Sequence, residues 1–497
     1  MIDKRMQANN AGASAPAPAL GVTVMPEWFQ HEGIEPVLDR VEALGARAIA
    51  TSPYVMERCA DGEGGREPPG DGDAGKVRPL ERDLFGAREL HVRTAPSFEH
   101  DPARYRDLRY HPSPATALTR RYRRLLDDVC SSAARRNIAV YLQVMAASPP
   151  GYRVQFSGAA PADLCLLPDG RPHPDRVDRN ASLASPHVVA YIAALVAELA
   201  KRYPGVTGLR LDWPEYPPYD FRSALFDFNP ALVARLAAAG HAPATTAQAV
   251  STWAADLRTA AAGAASDGPQ AVVTALQGAG WEALFDHAGP LAPLYAAKRG
   301  AARDLLAACR TALDGVPGPR RRLEPQAFPP PLSAISGFPM AALHGIADAV
   351  GVKLYTMHWP MLARYWARDL AGAVPEASLD AVTAAVAWLL GFTDVLVEDG
   401  ASLRYPEPHV AHPVGTKAQR AKLQAARDVA GSVPVIAFVH AYGPVDDVVR
   451  RRDIAAAGGT PLWINRYGYL SDEKIAALAL PRVPRPPQAL SPPSNAA

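Results

Sequence analysis

Residues 185–219 read SPHVVAYIAALVAELAKRYPGVTGLRLDWPEYPPY, a helix signal followed at once by a strand signal. Ser185 is placed to cap the helix, and Pro186 takes the first helical position, where its missing N–H leaves no bond unmade. Apolar residues recur at helical spacing until Pro204-Gly205 stops the turn. GLRLD (208–212) then alternates with period two, so Leu209 and Leu211 share one face while Arg210 and Asp212 share the other. Pro214 ends the strand and leaves Glu215 on the turn beyond it. A helix feeding such a strand is the repeating unit of a parallel sheet.

Seven more strand-like runs flank this unit, which itself spans 207–216. Before it stand GVTVMPEW (21–28), ARAIATSPY (46–54) and IAVYLQVMA (138–146). After it stand RRLEPQAF (321–328), VGVKLYTMHW (350–359), PVIAFVHAY (434–442) and PLWINRYGY (461–469). Helical patterns at 34–44, 116–136, 340–347, 360–370, 375–390, 415–430, 444–456 and 470–479 fall between and after them. Eight strand–helix units predict an α/β fold of the closed (β/α)8, or TIM, barrel type. Two connections exceed loop length. Residues 55–115, after the second strand, are rich in Gly, Asp, Arg and Pro and read as partly irregular. Residues 217–320, after the fourth, hold Ala-rich helical stretches (231–239, 245–265, 270–285, 291–314) and read as a helical insertion over the barrel mouth or a small subdomain. The barrel then occupies 20–480, between an Ala/Pro-rich tail at 1–19 and a Pro-rich tail at 481–497.

Composition narrows the function. Among 497 residues, 52 Lys plus Arg stand against 50 Asp plus Glu, a net charge of +2 that does not point to nucleic acid. The longest apolar runs, such as AVTAAVAWLLGF (381–392), fall short of the ~18 residues of a membrane span. The N-terminus lacks the apolar core of a signal peptide, so no membrane association and a cytoplasmic location are expected. Cys59, Cys130, Cys165 and Cys309 form no CxxC pair and read as packed thiols. No Gly-rich nucleotide loop, Gly-x-Ser-x-Gly elbow or HExxH occurs, so neither a cofactor nor a metal is expected.

In such barrels the active site lies at the C-terminal strand ends. Those ends carry Glu27 and Trp28, then Tyr54, then Asp212, Trp213, Glu215 and Tyr216. The later strands add Glu324, then Tyr355, His358 and Trp359, then His440 and Asn465. Carboxylates, amides and aromatic rings together suit a carbohydrate substrate, whose C–H faces stack on rings and whose hydroxyls take polar contacts. Arg210 beside Asp212 would keep that carboxylate ionised, and a second carboxyl able to hold a proton completes the requirement for glycoside hydrolysis. Many of the 49 prolines, among them Pro26, Pro53, Pro214 and Pro325, fall at the same strand ends and would stiffen the loops there.

The stretch from Ser185 to Tyr219 resembles the helix and fourth strand of glycosidase-like barrel proteins. The matching positions are Val188 to Tyr191, Arg202-Tyr203-Pro204 and Gly208 to Asp212. Gly208-Leu-Arg210-Leu-Asp212 is also similar to the fourth-strand motif of the α-amylase superfamily. That resemblance implies Asp212 as nucleophile, Arg210 as the residue that orients it and Glu324 as acid/base, with Glu215 as an alternative acid. The third-strand Asp-x-x-x-Asn-His motif of that superfamily is absent from 138–148, and no Asn-His-Asp ends the seventh strand. These departures favour a second reading, a non-catalytic carbohydrate-binding barrel. A third reading is a metal-dependent sugar isomerase with Glu27, Glu324 and His358 as ligands.

Overall fold

The computed structural model describes residues 20–70, 78–151, 158–174, 179–286 and 289–479. The terminal tails expected at 1–19 and 481–497 lie outside the described residues, as does part of the Gly-rich run in 55–115.

Eight parallel strands close into a barrel. They are β1 (Leu20–Thr23), β2 (Ala48–Thr51), β3 (Ala139–Met145), β4 (Gly208–Asp212), β5 (Arg322–Ala327), β6 (Val350–Leu354), β7 (Val435–His440) and β8 (Leu462–Asn465). Each pairs with its sequence neighbours, and β8 pairs with β1 to close the ring. Every expected strand is present, and each is shorter than its apolar run. Prolines and helix starts explain most of the difference. Pro26 opens a helix, Pro26–Glu32, so the first strand stops before Glu27 and Trp28. The sixth run gives way to the helix His358–Ala371. The second run divides at Pro53: 48–51 joins the barrel, while Tyr54 begins a strand of a different sheet.

That second sheet is antiparallel and three-stranded, built from Tyr54–Arg58, Gly65–Glu67 and Leu90–Pro96 with the last in the centre. It lies within the segment read from sequence as partly irregular; strands this short, separated by Gly-rich turns, give little periodic signal.

The barrel interior explains two glycines. Trp463 of β8 and Phe438 of β7 fill it, their rings stacked at 6.0 Å and 21°. A Cβ on Gly21 of β1 would stand 2.2 Å from the Trp463 ring, and one on Gly351 of β6 would stand 2.4 Å from Phe438. These rings pack with Ala48, Ala50, Tyr141, Ala349 and Ile436 as a core separate from the one between strands and helices.

The outer layer follows the expected helices with two changes. The 116–136 pattern forms Ala117–Arg121 and Leu125–Arg135, divided where Tyr122 leaves helical geometry, and 340–347 holds only a short 3-10 turn, Met340–Ala342. Ser185 caps Pro186–Arg202 by accepting from the Val188 N–H. Val188, Tyr191, Ile192, Leu195, Val196 and Leu199 of this helix are fully buried. Such side chains contribute roughly 1.5–3 kcal/mol each. In the long connection after β4, Ala292–Asp314 packs on Pro186–Arg202, as the helix between β4 and β5 should. Pro243–Ala264 packs on His358–Ala371, and Pro269–Gly278 packs on Glu376–Leu389. Of residues 217–320, only Tyr219 reaches the cavity at the barrel mouth, among the described residues.

Candidate active site

A cavity opens at the C-terminal ends of the strands, and three polar tiers rise towards it through the barrel. The lowest is an ion cluster. Arg210 of β4 and Glu324 of β5 are register partners. The Arg210 Nε and Nη2 donate to Glu324 Oε2 at 3.1 and 2.8 Å, and Arg322 Nε donates to Oε1 at 2.8 Å. The Arg210 guanidinium lies 3.3 Å from the Trp463 ring centroid and 4.6 Å from that of Tyr141. Burial pulls its pKa below the usual arginine range, against the opposing pull of Glu324. Above it is an amide tier, in which Gln326 Nε2 donates to Gln143 Oε1 at 2.8 Å. Gln143 Nε2 in turn donates to Asp212 Oδ2 at 3.3 Å.

Asp212 forms the top tier, at the cavity. Lys353 Nζ lies 2.5 Å from its Oδ1, and the Trp213 backbone N–H donates to the same oxygen at 3.0 Å. The expected Arg210–Asp212 partnership is therefore corrected. Arg210 is committed to Glu324, and a lysine from β6 neutralises Asp212 instead. Strand geometry gives the reason: Arg210 stands one tier lower, level with Glu324 across the β4–β5 ladder.

Lys353 also faces Glu215, with Nζ 3.9 Å from Oε1. Glu215 is fully buried, and its oxygens accept from the Phe328 N–H at 3.0 Å and the Ser336 hydroxyl at 2.7 Å. Burial raises its pKa to about 7, opposed by Lys353 and by those hydrogen bonds. One carboxylate held by an ammonium and a second carboxyl that keeps its proton to neutral pH thus share Lys353.

Aromatic rings wall the cavity. Trp213 adopts φ +54°, a left-handed conformation that costs a non-glycine residue about 1–3 kcal/mol. Its indole meets Tyr219 edge-on at 5.8 Å, and Tyr219 meets Phe328 edge-on at 5.6 Å. Tyr355 and His440 pack edge-on at 5.5 Å.

Of the residues singled out in the sequence, Asp212, Trp213 and Tyr355 line the cavity together with His358, Trp359, His440 and Asn465. The others do not. Glu324 and Arg210 lie in the tier below, and Glu215 sits behind Lys353. Glu27 accepts from the Tyr54 hydroxyl at 2.8 Å, with both residues buried. Trp28 packs edge-on against Tyr467 at 5.5 Å, and Tyr216 is buried under Lys298. The three ligands of the isomerase reading are not brought together, since Glu27 and Glu324 are engaged elsewhere. No group of three or more His, Cys, Asp or Glu able to hold a metal occurs among the described residues.

Sequence reasoning passed over Lys353, Arg78 and Arg466 as site residues. Lys353 carried a signal: in VGVKLY it shares a strand face with Tyr355, a charge inside an otherwise apolar strand. Arg78 sits beyond a Gly/Asp-rich run that has no periodicity to place it.

No protein-family model matches the sequence, and no curated protein matches it. Among solved structures, the chain is similar to a β-galactosidase from the psychrophilic Marinomonas ef1, at 12% identity and a TM-score of 0.44 over 90% of this chain and 54% of that one. The chain thus spans about half the length of that protein. It is also similar to the catalytic domain of a β-amylase from Paenibacillus polymyxa, at 10% identity and a TM-score of 0.42 over 93% of this chain and 96% of that one. A chitinase from Chromobacterium violaceum is a further likeness, at 10% identity and a TM-score of 0.38 over 93% and 98% of the two chains. The fold itself rests on this chain's own strand pairing, which makes it a closed eight-stranded parallel α/β barrel.

Proposed function

We propose that the chain is a glycoside hydrolase whose reacting centre is Asp212. The observation that carries this reading is the Asp212–Lys353–Glu215 arrangement, opening through Asp212 and Lys353 onto an aromatic-walled cavity. Hydrolysis of a glycosidic bond passes through an oxocarbenium-like transition state, and a fixed negative charge beside the anomeric carbon stabilises it. Asp212 supplies that charge. Lys353, touching Asp212, is placed to give a proton to the leaving oxygen as the glycosidic bond breaks, and Glu215 behind it gives the proton that restores the ammonium; water then bonds to the anomeric carbon, and the proton it loses returns through Lys353 to Glu215. The tiers beneath hold Asp212 in place through Gln143 and Gln326. On this reading Glu324 positions the barrel interior and does not touch substrate.

One observation favours a second reading, a carbohydrate-binding barrel without turnover. Asp212 is the one carboxylate lining the cavity among the described residues, and Glu215 reaches it only through Lys353. A panel of aryl glycosides and oligosaccharides, assayed for both aglycone release and binding, separates the two. Release supports the hydrolase; binding without release supports the second reading; neither overturns both.

A further inference from the structure

The ionic groups of the cavity wall are already engaged. Lys353 holds Asp212, Arg466 Nη2 lies 2.8 Å from Oε1 of the buried Glu67, and Arg78 Nη1 lies 3.3 Å from His440 Nε2. Two neutral side chains of the wall stand apart from this network. The Tyr355 hydroxyl and the Asn465 amide make no hydrogen bond among the described residues. Asn465 is only 9% exposed, so its amide is largely withdrawn from bulk water. It ends β8, four strands from the Asp212 of β4 in either direction round the ring, and so stands across the barrel mouth from it. Tyr355 follows β6, midway between them. Burial first, and then the charge of Asp212, push the pKa of its hydroxyl up, which keeps it a hydrogen-bond donor at neutral pH. The cavity has a volume of about 190 Å³. One of roughly 150 Å³ admits a benzene ring, so this one admits a single six-membered ring with its substituents and not two. Pro69, Trp213, Tyr219, Leu362 and Arg466, from the connections after β2, β4, β6 and β8, wall it in.

A phenol offers one donor and one acceptor, and an amide offers two donors and an acceptor, which matches the hydroxyls of a sugar. Covering either group without a partner costs free energy that a sugar hydroxyl returns. A carboxylate or phosphate on the sugar would find the cations of the wall committed and Asp212 repelling it. We infer that the cavity takes one neutral sugar ring, with Tyr355 and Asn465 on its hydroxyls and its glycosidic bond at Asp212 and Lys353. The chain then removes single sugars from the ends of glycans or from an aglycone. This inference rests on the saccharide reading given above.

Two measurements on the full chain test it. In the first, 4-nitrophenyl glycosides and hexasaccharides of glucose, galactose, mannose and xylose, in both anomers, are incubated with the protein and the first products separated. A neutral monoglycoside should release nitrophenol, and the matching hexasaccharide should yield a monosaccharide and a pentasaccharide first. Di- to tetrasaccharides as first products overturn the inference and leave the hydrolase reading standing. No hydrolysis overturns the removal of end sugars along with the hydrolase reading. In the second, calorimetric titration compares ligands of different length and charge. A methyl glycoside should bind within about threefold of its trisaccharide, and roughly tenfold or more tighter than the methyl uronide of the same series. A trisaccharide roughly tenfold tighter, or a uronide that matches the neutral sugar, overturns the single neutral ring. Binding of no saccharide overturns it together with the saccharide reading. Y355F and N465A, with melting checked alongside, should each weaken the methyl glycoside roughly two- to tenfold. Unchanged affinity in both variants removes these residues from the site.

Discussion

Lys353 Nζ and Asp212 Oδ1 lie 2.5 Å apart, joining β6 to β4 across the barrel mouth. The lysine is 4% exposed and the aspartate 17%, so the pair is largely withdrawn from water while one carboxylate edge faces the cavity. Removing the ammonium leaves a mostly buried charge without its partner. K353M should therefore lose roughly 3 kcal/mol of stability in urea unfolding, the lower end for a broken buried pair. A loss under about 1 kcal/mol would mean that solvent already screens the contact.

Glu215 links stability to pH. Its carboxyl titrates near 4.5 in the open chain and at about 7 when folded. The folded state thus holds more protons between those values, and the contribution of Glu215 to stability falls as pH rises through that window, then levels off. Glutamine cannot ionise, so the stability of E215Q relative to wild type should rise by up to about 3 kcal/mol between about pH 5 and 8. A pH-independent difference would refute the raised pKa. In the same window, loss of the stored proton predicts that hydrolysis declines above pH ~7 in the wild type, and that this limb is missing in E215Q.

The ion cluster below the site makes a contrasting prediction. E324Q leaves Arg210 and Arg322 facing a neutral amide inside the barrel and should destabilise the fold by roughly 3–5 kcal/mol. Because Glu324 does not line the cavity, saccharide affinity of the folded fraction should change little. A fully stable E324Q that has lost turnover would return the acid/base role to Glu324.

Gly21 and Gly351 report on the packing inside the barrel. G21A or G351A drives a methyl into Trp463 or Phe438. Each should cost roughly 1–3 kcal/mol by overpacking, read as a lowered melting temperature.

The strand pattern and the helix ends were legible in the sequence because both rest on local rules: period-two burial, Ser185 capping and the prolines that follow several of the strands. Asp212, Trp213, Tyr355, His358 and Trp359 follow from the same rules, standing at or within a few residues past the ends of β4 and β6. Partnership was not legible. Arg210 is two residues from Asp212 in sequence, yet its charge meets Glu324, 114 residues away, because pairing across a ladder depends on the stagger between strands. Glu27, Trp28, Tyr54 and Tyr216 were misplaced for a related reason. Each lies just past a strand, where a proline turned the chain into a helix, a second sheet or a buried loop.

The central claim is that Asp212 is the charge on which glycosidic cleavage depends. The most direct measurement compares the turnover of wild type and D212N on whichever aryl glycoside the panel identifies, with saccharide affinity measured on both. Loss of a preorganised charge predicts a fall in kcat on the order of 10³-fold in D212N, with affinity kept within roughly tenfold. Turnover by D212N within about threefold of wild type would contradict the account.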